Sequence, residues 1–325
     1  MKWRLLAVAF AATVGPLGTV AAQVYPSRPI TMIVPFAAGG PNDTIGRILI
    51  ERMRASLGQP VIIENVAGAN GTIGTGRVAR AAADGYTLSM GSFNSHVVNG
   101  AVYALAYDVL KDFEPVALIS SSGGSVIVAR NGLPANDLAG FIAWLKANPG
   151  KALAGTPGVG SSSQVHGALF QNLTGTRFQH VPYRGAAPAM QDLVAGQIDV
   201  IIETPVTALP QVRAGRIKAF AVTAGRRLAA APDIPTVDEA GLPGFYTSAW
   251  YALWVPKGTP KTIIGRLNAA VVDALADPAV RTRLTDLGQE AAPPEQQTSE
   301  ALRAFHKTEI EKWWPIIKAA NIAAE

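Results

Sequence analysis

Hydrophobic and polar positions along the chain alternate between two periods. Short apolar or alternating runs at residues 30–35, 61–64, 86–91 and 114–119 predict strands. Between the first two, Ile45, Ile48, Leu49 and Met53 fall on one side of a helix over residues 43–57, and a second helix is expected over residues 71–82. Alternation at this pitch implies a mainly parallel sheet flanked by helices. A second series begins near Ser125, with strands at residues 126–129, 152–155, 177–181, 198–202 and 217–223. Its helices are expected at residues 138–147, from the serines at 161–163 to Leu173, and at residues 188–195. After Pro232, Pro235 and Pro243 come a strand at residues 250–255 and helices at 262–276, 279–287 and 300–319. These late helices are expected to return onto the first sheet, so that the second series is an insertion. The fold class is therefore α/β, with two lobes and a hinge of two crossing segments near residues 119–124 and 223–225. Lobe I takes residues 23–124 and 224–325, and lobe II residues 125–223. In such sheets ligands sit outside the carboxyl ends of the strands, which points to the loops at residues 36–43, 65–71 and 91–96 of the first lobe.

The amino terminus changes the picture. Met1-Lys2-Trp3-Arg4 is followed by an apolar run from Leu5 to Val14 and by Val20-Ala21-Ala22, the layout of a secretory signal peptide over residues 1–22. Cleavage after Ala22 leaves a mature chain starting at Gln23. A retained membrane anchor is the alternative, disfavoured because Gly15 and Pro16 break the apolar run. The chain has no cysteine, which excludes disulfides, a thiolate nucleophile and Cys-ligated zinc. Hydrophobic residues make up 49% and charged residues 16%, which fits packed cores and argues against disorder. The formal charge of +5 falls to +3 once Lys2 and Arg4 leave with the leader. Basic residues are scattered and not interleaved with aromatics, so nucleic acid is not an expected partner.

Catalytic signatures are missing. The chain lacks Gly-x-Ser-x-Gly, the phosphate-binding Gly-x-x-x-x-Gly-Lys-[Ser/Thr] and the zinc motif His-Glu-x-x-His. His96, His166, His180 and His306 show no metal-ligand spacing, so neither a metal nor a cofactor is expected. What remains are polar residues at strand ends. In the turn Val34-Pro35-Phe36-Ala37-Ala38-Gly39-Gly40-Pro41-Asn42-Asp43, the glycines admit close approach of a ligand, and Asn42 or Asp43 is expected to cap the helix that follows. A ligand-free βα loop is the competing reading. Ser92, Asn94, Ser95, Thr156, Ser161, Ser162, Ser163, Gln164 and Tyr183 can donate hydrogen bonds, and two helix N-termini facing one space would suit a carboxylate. N-capping competes for each hydroxyl singly. Arg184 can pair with a substrate carboxylate or anchor its own turn. Glu203 can accept from a ligand or hold a loop.

Several runs taken in order carry a further signal: YPSRPITMIVPFAAGGPNDTIGR, LGQPVIIENVAGANGTIGTGRVARAAADGYTL, YDVLKDFEPVALI, HVPYRGAAPAMQDLVAGQIDV, FAVTAGRR, IPTVDEAGLPGF and GTPKTIIGRLNAA. Together they resemble the Bug family of extracytoplasmic solute receptors, the substrate-binding components of tripartite tricarboxylate transporters. The resemblance implies a two-lobed periplasmic binding protein, monomeric, that closes on a small carboxylate and delivers it to a membrane permease. It also implies that the loop at residues 36–43 and those near Gly91, Thr156, Tyr183 and Glu203 hold the ligand, partly through amides and ordered water. The chain departs from the family's usual pattern at Ala38-Gly39-Gly40, at Gln164-Val165-His166-Gly167-Ala168 and at Glu203, which leaves the particular acid open. The site expected is Phe36, Ala38, Gly39, Asn42 and Asp43 with Thr156, Ser161, Ser162, Ser163 and Gln164 on one carboxylate, aided by Ser92 and Asn94. Tyr183, Arg184 and Glu203 then sort ligands by their distal group. A sensor feeding a signalling protein and a secreted hydrolase or lyase are the rival functions; the enzyme lacks an evident Ser-His-Asp set or metal cluster.

Overall fold

A computed structural model describes residues 25–247, 249–319 and 322. The expected signal peptide lies outside the described residues. Two sheets organise the chain. The first contains β1 (Ile30–Val34), β2 (Val61–Asn65), β3 (Thr87–Ser92), β4 (Phe113–Ser122), β10 (Trp250–Pro256) and β11 (Gln289–Ala291) in the order β11-β4-β10-β3-β1-β2. The second contains β5 (Val126–Arg130), β6 (Leu153–Thr156), β7 (Gln179–Pro182), β8 (Val200–Glu203) and β9 (Ile217–Val222) in the order β7-β6-β8-β5-β9.

Both sheets mix parallel and antiparallel pairs, with parallel βα units at one side and reversed strands at the crossing and at the β11 edge, which runs antiparallel to β4. Strand β1 pairs parallel with β2 and β3, but β10 runs antiparallel between β3 and β4. In the second sheet β5 is the antiparallel strand, between β8 and β9. The reason is topological. Strand β5 has just left the first sheet through β4, and β10 has just returned to it, so each runs against the βα units of the sheet it joins.

Helices α1 (Pro41–Leu57), α8 (Lys261–Ala276) and α9 (Pro278–Asp286) cover one face of the first sheet, where Ile45, Leu49, Met53, Leu267, Val271 and Leu275 pack against Ile30, Met32 and Leu253. Helix α10 (Ser299–Ala319) covers the other, with Trp313 edge-on to Phe93 at 5.1 Å between ring centres. The late helices thus return to the first sheet. Also on this sheet are α2 (Thr72–Ala79) and, after a wide helical turn at Asn94–Val98, the short α3 (Asn99–Val102). The second sheet carries α4 (Leu138–Ala147), α5 (Ser162–Thr174), α6 (Ala186–Val194) and α7 (Pro205–Arg213).

Besides the unexpected edge strand β11, three elements run against sequence expectation. Helix α7 follows Thr204 because Pro205 suits the first helical position, where no amide is needed. The turn after β3 coils into a helix instead of staying a loop. Helix α1 starts at Pro41, with Gly40 as its cap residue and no side-chain cap. Asn42 instead donates to Met90 O (3.0 Å), and Asp43 accepts from Gly39 N (2.9 Å).

Between the sheets the two strands of crossing chain are knitted by short polar groups. Ser122 N and Oγ both reach Ala249 O (2.7 and 3.2 Å), and Thr223 N donates to Ser125 O (2.8 Å). Thr223 Oγ1 also receives Ser125 N (2.7 Å) and meets Thr247 Oγ1 (2.7 Å). These are buried hydroxyls on backbone that must bend, so hydrogen bonds rather than side-chain bulk hold the crossing together.

Candidate ligand-binding site

The carboxyl ends of the strands meet at one cavity. Its volume is about 60 Å³, several times the roughly 10–15 Å³ that one water needs. The walls come from Phe36, Ala37, Gly40, Pro41 and Asn42 of the first βα turn and from Ser92, Phe93 and Asn94 after β3. Pro157, Ser162, Gly185, Ala186, Ala187, Glu203 and Thr204 face them from the second sheet, and Ala249 and Tyr251 close the base.

Four helices begin at this cavity. Pro41 opens α1, Ser162 opens α5, Ala186 opens α6, and Thr204 is the cap residue of α7. First-turn amides have no partner within their own helix, and each helix presents the positive end of its dipole. Among the described residues no Lys, Arg or His lines the cavity. Positive potential there comes from backbone. Ser92 Oγ is buried without a hydrogen-bond partner, and Thr204 Oγ1, beside Glu203, forms no bond of good geometry. Buried hydroxyls left unpaired cost free energy until a ligand pairs them.

Glu203 is the charged-type residue in the wall, only 4% exposed. Its Oε1 accepts from Thr204 N (2.7 Å), and its Oε2 lies 3.4 Å from Ser163 Oγ. Burial pushes its carboxyl upward, against the smaller lowering effect of the Thr204 amide and the nearby hydroxyls.

Of the residues expected to hold a ligand, the cavity brings together Phe36, Asn42, Ser92, Asn94, Ser162 and Glu203. Tyr183 and Arg184 line a wider outer cleft that shares Phe36, Ala37, Pro157 and Gly185 with it. Arg184 is exposed there, and the Tyr183 hydroxyl donates to Asp192 (2.7 Å). Asp43, Thr156, Ser161, Ser163 and Gln164 stand behind the wall, whereas Ala38 and Gly39 are exposed outside it, Gly39 on a separate groove with Ala187 and Met190. Asp43 organises the loop: besides Gly39 N it accepts from Arg47 Nε (2.9 Å) and Asn65 Nδ2 (3.1 Å). Burial raises its pKa, but these hydrogen bonds outweigh that and hold its carboxyl low. Ser161 caps α5 through Gln164 N, Gln164 Oε1 accepts from Gly160 N (2.6 Å), and Thr156 Oγ1 donates to Gly158 O (3.2 Å).

Sequence reasoning passes over Thr204, Tyr251, the start of α6, and Asn70 and Asn99, which surround the expected Asn94. The Thr-Pro pair at 204–205 is a helix-start signal that could have marked α7; nothing in the apolar run of β10 says that Tyr251 faces the cavity. Asn70 Nδ2 donates to Asn99 Oδ1 (2.9 Å) and across the cleft to Gly160 O (2.9 Å), while Asn94 Nδ2 donates to Asn70 Oδ1 (2.7 Å). Asn94 Oδ1 in turn accepts from Ser162 N (2.9 Å), and Tyr103 OH donates to Val159 O. Gly160 permits the approach, since its φ is +70° and a Cβ would lie 2.4 Å from Val102.

The sequence and the fold have known relatives. The family described as the tripartite tricarboxylate transporter family receptor matches residues 45–322. Protein BugT of Bordetella pertussis is 37% identical over 319 residues, 97% of each chain. Among solved structures, the periplasmic binding protein BugD superposes with a TM-score of 0.88 at 36% identity, covering 92% of this chain and 100% of its own. MatC from Rhodopseudomonas palustris with bound malate gives 0.86 at 41% identity, covering 90% and 100%.

Proposed function

From the premise that this chain belongs to the tripartite tricarboxylate transporter receptor family, a family of periplasmic solute receptors, we propose that it captures a compact organic acid between its lobes and presents it to the membrane permease. The single observation that carries the reading is the convergence of four helix N-termini, with an unpaired Ser92 hydroxyl, on a cavity without a basic side chain. Backbone amides and helix dipoles stabilise a carboxylate there without a buried cation. Malate in MatC, which is 41% identical, favours the same ligand class.

The lobes divide at residues 124/125 and 223/224. In support, every strand of the first sheet falls on one side of these points and every strand of the second on the other. Ligand contacts come from Phe36 and Asn42 in lobe I, with Ser92 and Asn94, and from Ser162, Glu203 and Thr204 in lobe II. Tyr183 and Arg184 line the outer approach. The chain is exported by its signal peptide, cut after Ala22, and acts as a monomer.

A thermal-shift screen of the chain from Gln23 against small organic acids tests this reading. A ligand at about a hundred times its dissociation constant adds about 2.7 kcal/mol of stability. One class of acid is expected to raise the melting temperature and to be recovered unchanged. A flat response across the panel, with nothing released when the purified protein is unfolded, would overturn it.

A further inference from the structure

Resting on the acid-binding reading, we propose that Glu203 is a specificity-determining residue that meets the ligand as a neutral acid. It donates a hydrogen bond to an oxygen of the ligand's distal group and so selects diacids and oxo- or hydroxyacids over amino acids.

The geometry assigns each carboxyl oxygen a different role. Oε1 is engaged as an acceptor by Thr204 N at 2.7 Å. Oε2 has only a long contact to Ser163 Oγ, 3.4 Å, so a proton there is free to point into the cavity. The groups facing Glu203 are Ser163 from α5, Thr204 at the start of α7 and Tyr251 from β10; none is a cation. Burial raises the Tyr251 phenol, which keeps it a donor as well. An ionised carboxylate buried without a cation is costly, whereas the neutral acid satisfies one donor and one acceptor.

The same wall explains why neutrality suits the ligand. Four helix N-termini favour an anion in the cavity, and an ionised Glu203 at its edge would repel that anion. A protonated Glu203 removes the repulsion and adds a donor to the Thr204 and Tyr251 hydroxyls. A ligand ammonium would bring a second set of donors against these and find no charge to balance it. The corresponding recognition is of oxygen acceptors at both ends of the solute.

Calorimetric titration at pH 7 with two matched pairs tests the assignment: succinate against β-alanine, and adipate against 5-aminopentanoate, each pair differing by carboxylate for ammonium at one end. The diacid of at least one pair is expected to bind at least tenfold more tightly than its ammonium partner. Glu203→Ala is expected to weaken diacid binding tenfold or more, and Glu203→Gln, which restores a neutral donor, to recover most of that loss. Equal or stronger binding of the ammonium partners to the wild type overturns the proposal without reliance on any variant folding. So does a Gln variant as weak as Ala, or an unweakened Ala variant. Binding of propionate or benzoate but of neither diacid would overturn it while leaving the acid-binding reading intact. Failure of every acid to bind would overturn both.

Discussion

Removing the Asn70 side chain tests what holds the lobes closed. Asn70 lines the outer cleft, not the inner cavity, so its carboxamide is outside the proposed ligand shell. Its φ of +53° is a left-handed value that glycine adopts without strain, which makes Asn70→Gly the clean substitution. The variant loses the bond to Gly160 O directly. It also loses the bond that orients Asn94, whose Oδ1 holds Ser162 N of the opposite lobe. A full bond contributes about 0.5–1.5 kcal/mol net and the second is only loosened, so about 1–2 kcal/mol of the preference for the closed arrangement disappears. A ligand that requires that arrangement should then bind about 5–30-fold more weakly, as read by calorimetry on the acid selected in the thermal-shift screen. Asn70→Asp should be weaker still, because a carboxylate would face Gly160 O and Asn99 Oδ1. A dissociation constant for Asn70→Gly within twofold of wild type would refute the argument that these asparagines hold the lobes together.

Ser92→Ala should stabilise the unliganded protein by about 1 kcal/mol, since a buried hydroxyl without a partner is removed, yet weaken acid binding; urea melts with and without ligand read the opposite signs, and a destabilised apo form would contradict them. His166, buried between Phe93 and Trp313 with its pKa lowered to about 3 by burial, stays neutral in the fold while the unfolded chain takes up a proton below about pH 6.5. Stability is therefore lost as pH falls from about 6.5 towards 3, by up to about 1.4 kcal/mol per pH unit; His166→Gln should flatten that slope in urea midpoints, and an unchanged slope would show that the imidazole is charged in the fold. Glu114 opposes its own burial with bonds from Lys257 and Arg303, both 2.6 Å away, that hold its carboxyl low. The stability it contributes is present above the ordinary carboxylate range and lost as pH falls through the lowered pKa. Glu114→Gln should cost below about 1 kcal/mol at pH 7 and progressively less as pH falls below the ordinary carboxylate range, and a cost independent of pH would place the effect in packing instead.

Where periodicity was strong, the sequence predicted the structure closely. Helix α4 at Leu138–Ala147 and strand β10 at Trp250–Pro256 fall within a residue of their expected bounds, because an uninterrupted apolar stripe or run leaves one way to bury it. Proline concealed α7: Pro210 inside the segment reads as a breaker, though Pro205 at its start is a helix signal. The antiparallel entry of β5 and β10 could not be read locally, since strand direction depends on which sheet the chain has just left. The candidate site divides in the same way. Gly-rich strand ends flagged the loops, but which residue of a loop faces the cavity depends on where its helix starts, and α1 starting at Pro41 turns Asn42 toward Met90 and Asp43 toward Gly39. The polar residues named in the Thr156 loop shape that loop, and of them Ser162 joins Pro157 in the wall.

Placing the positive potential in backbone rather than in a basic side chain has a mechanical consequence. An arginine would belong to one lobe and could hold a carboxylate with the cleft wide open. Here α1 stands on the first sheet while α5, α6 and α7 stand on the second, and each N-terminus contributes about 0.3–1 kcal/mol toward a nearby anion. No single helix binds strongly. The acid gains their sum only when both lobes are in contact with it, so its binding energy is expressed as closure, the differential affinity that shifts a two-state equilibrium. The unpaired Ser92 hydroxyl, on the first sheet, works in the same direction, since it recovers a partner only when the cavity is filled. Release follows from the same arithmetic: pulling the lobes apart at the Ser122–Ala249 and Ser125–Thr223 crossing removes one side's contribution at a stroke, and what remains is too weak to retain a small, well-hydrated acid.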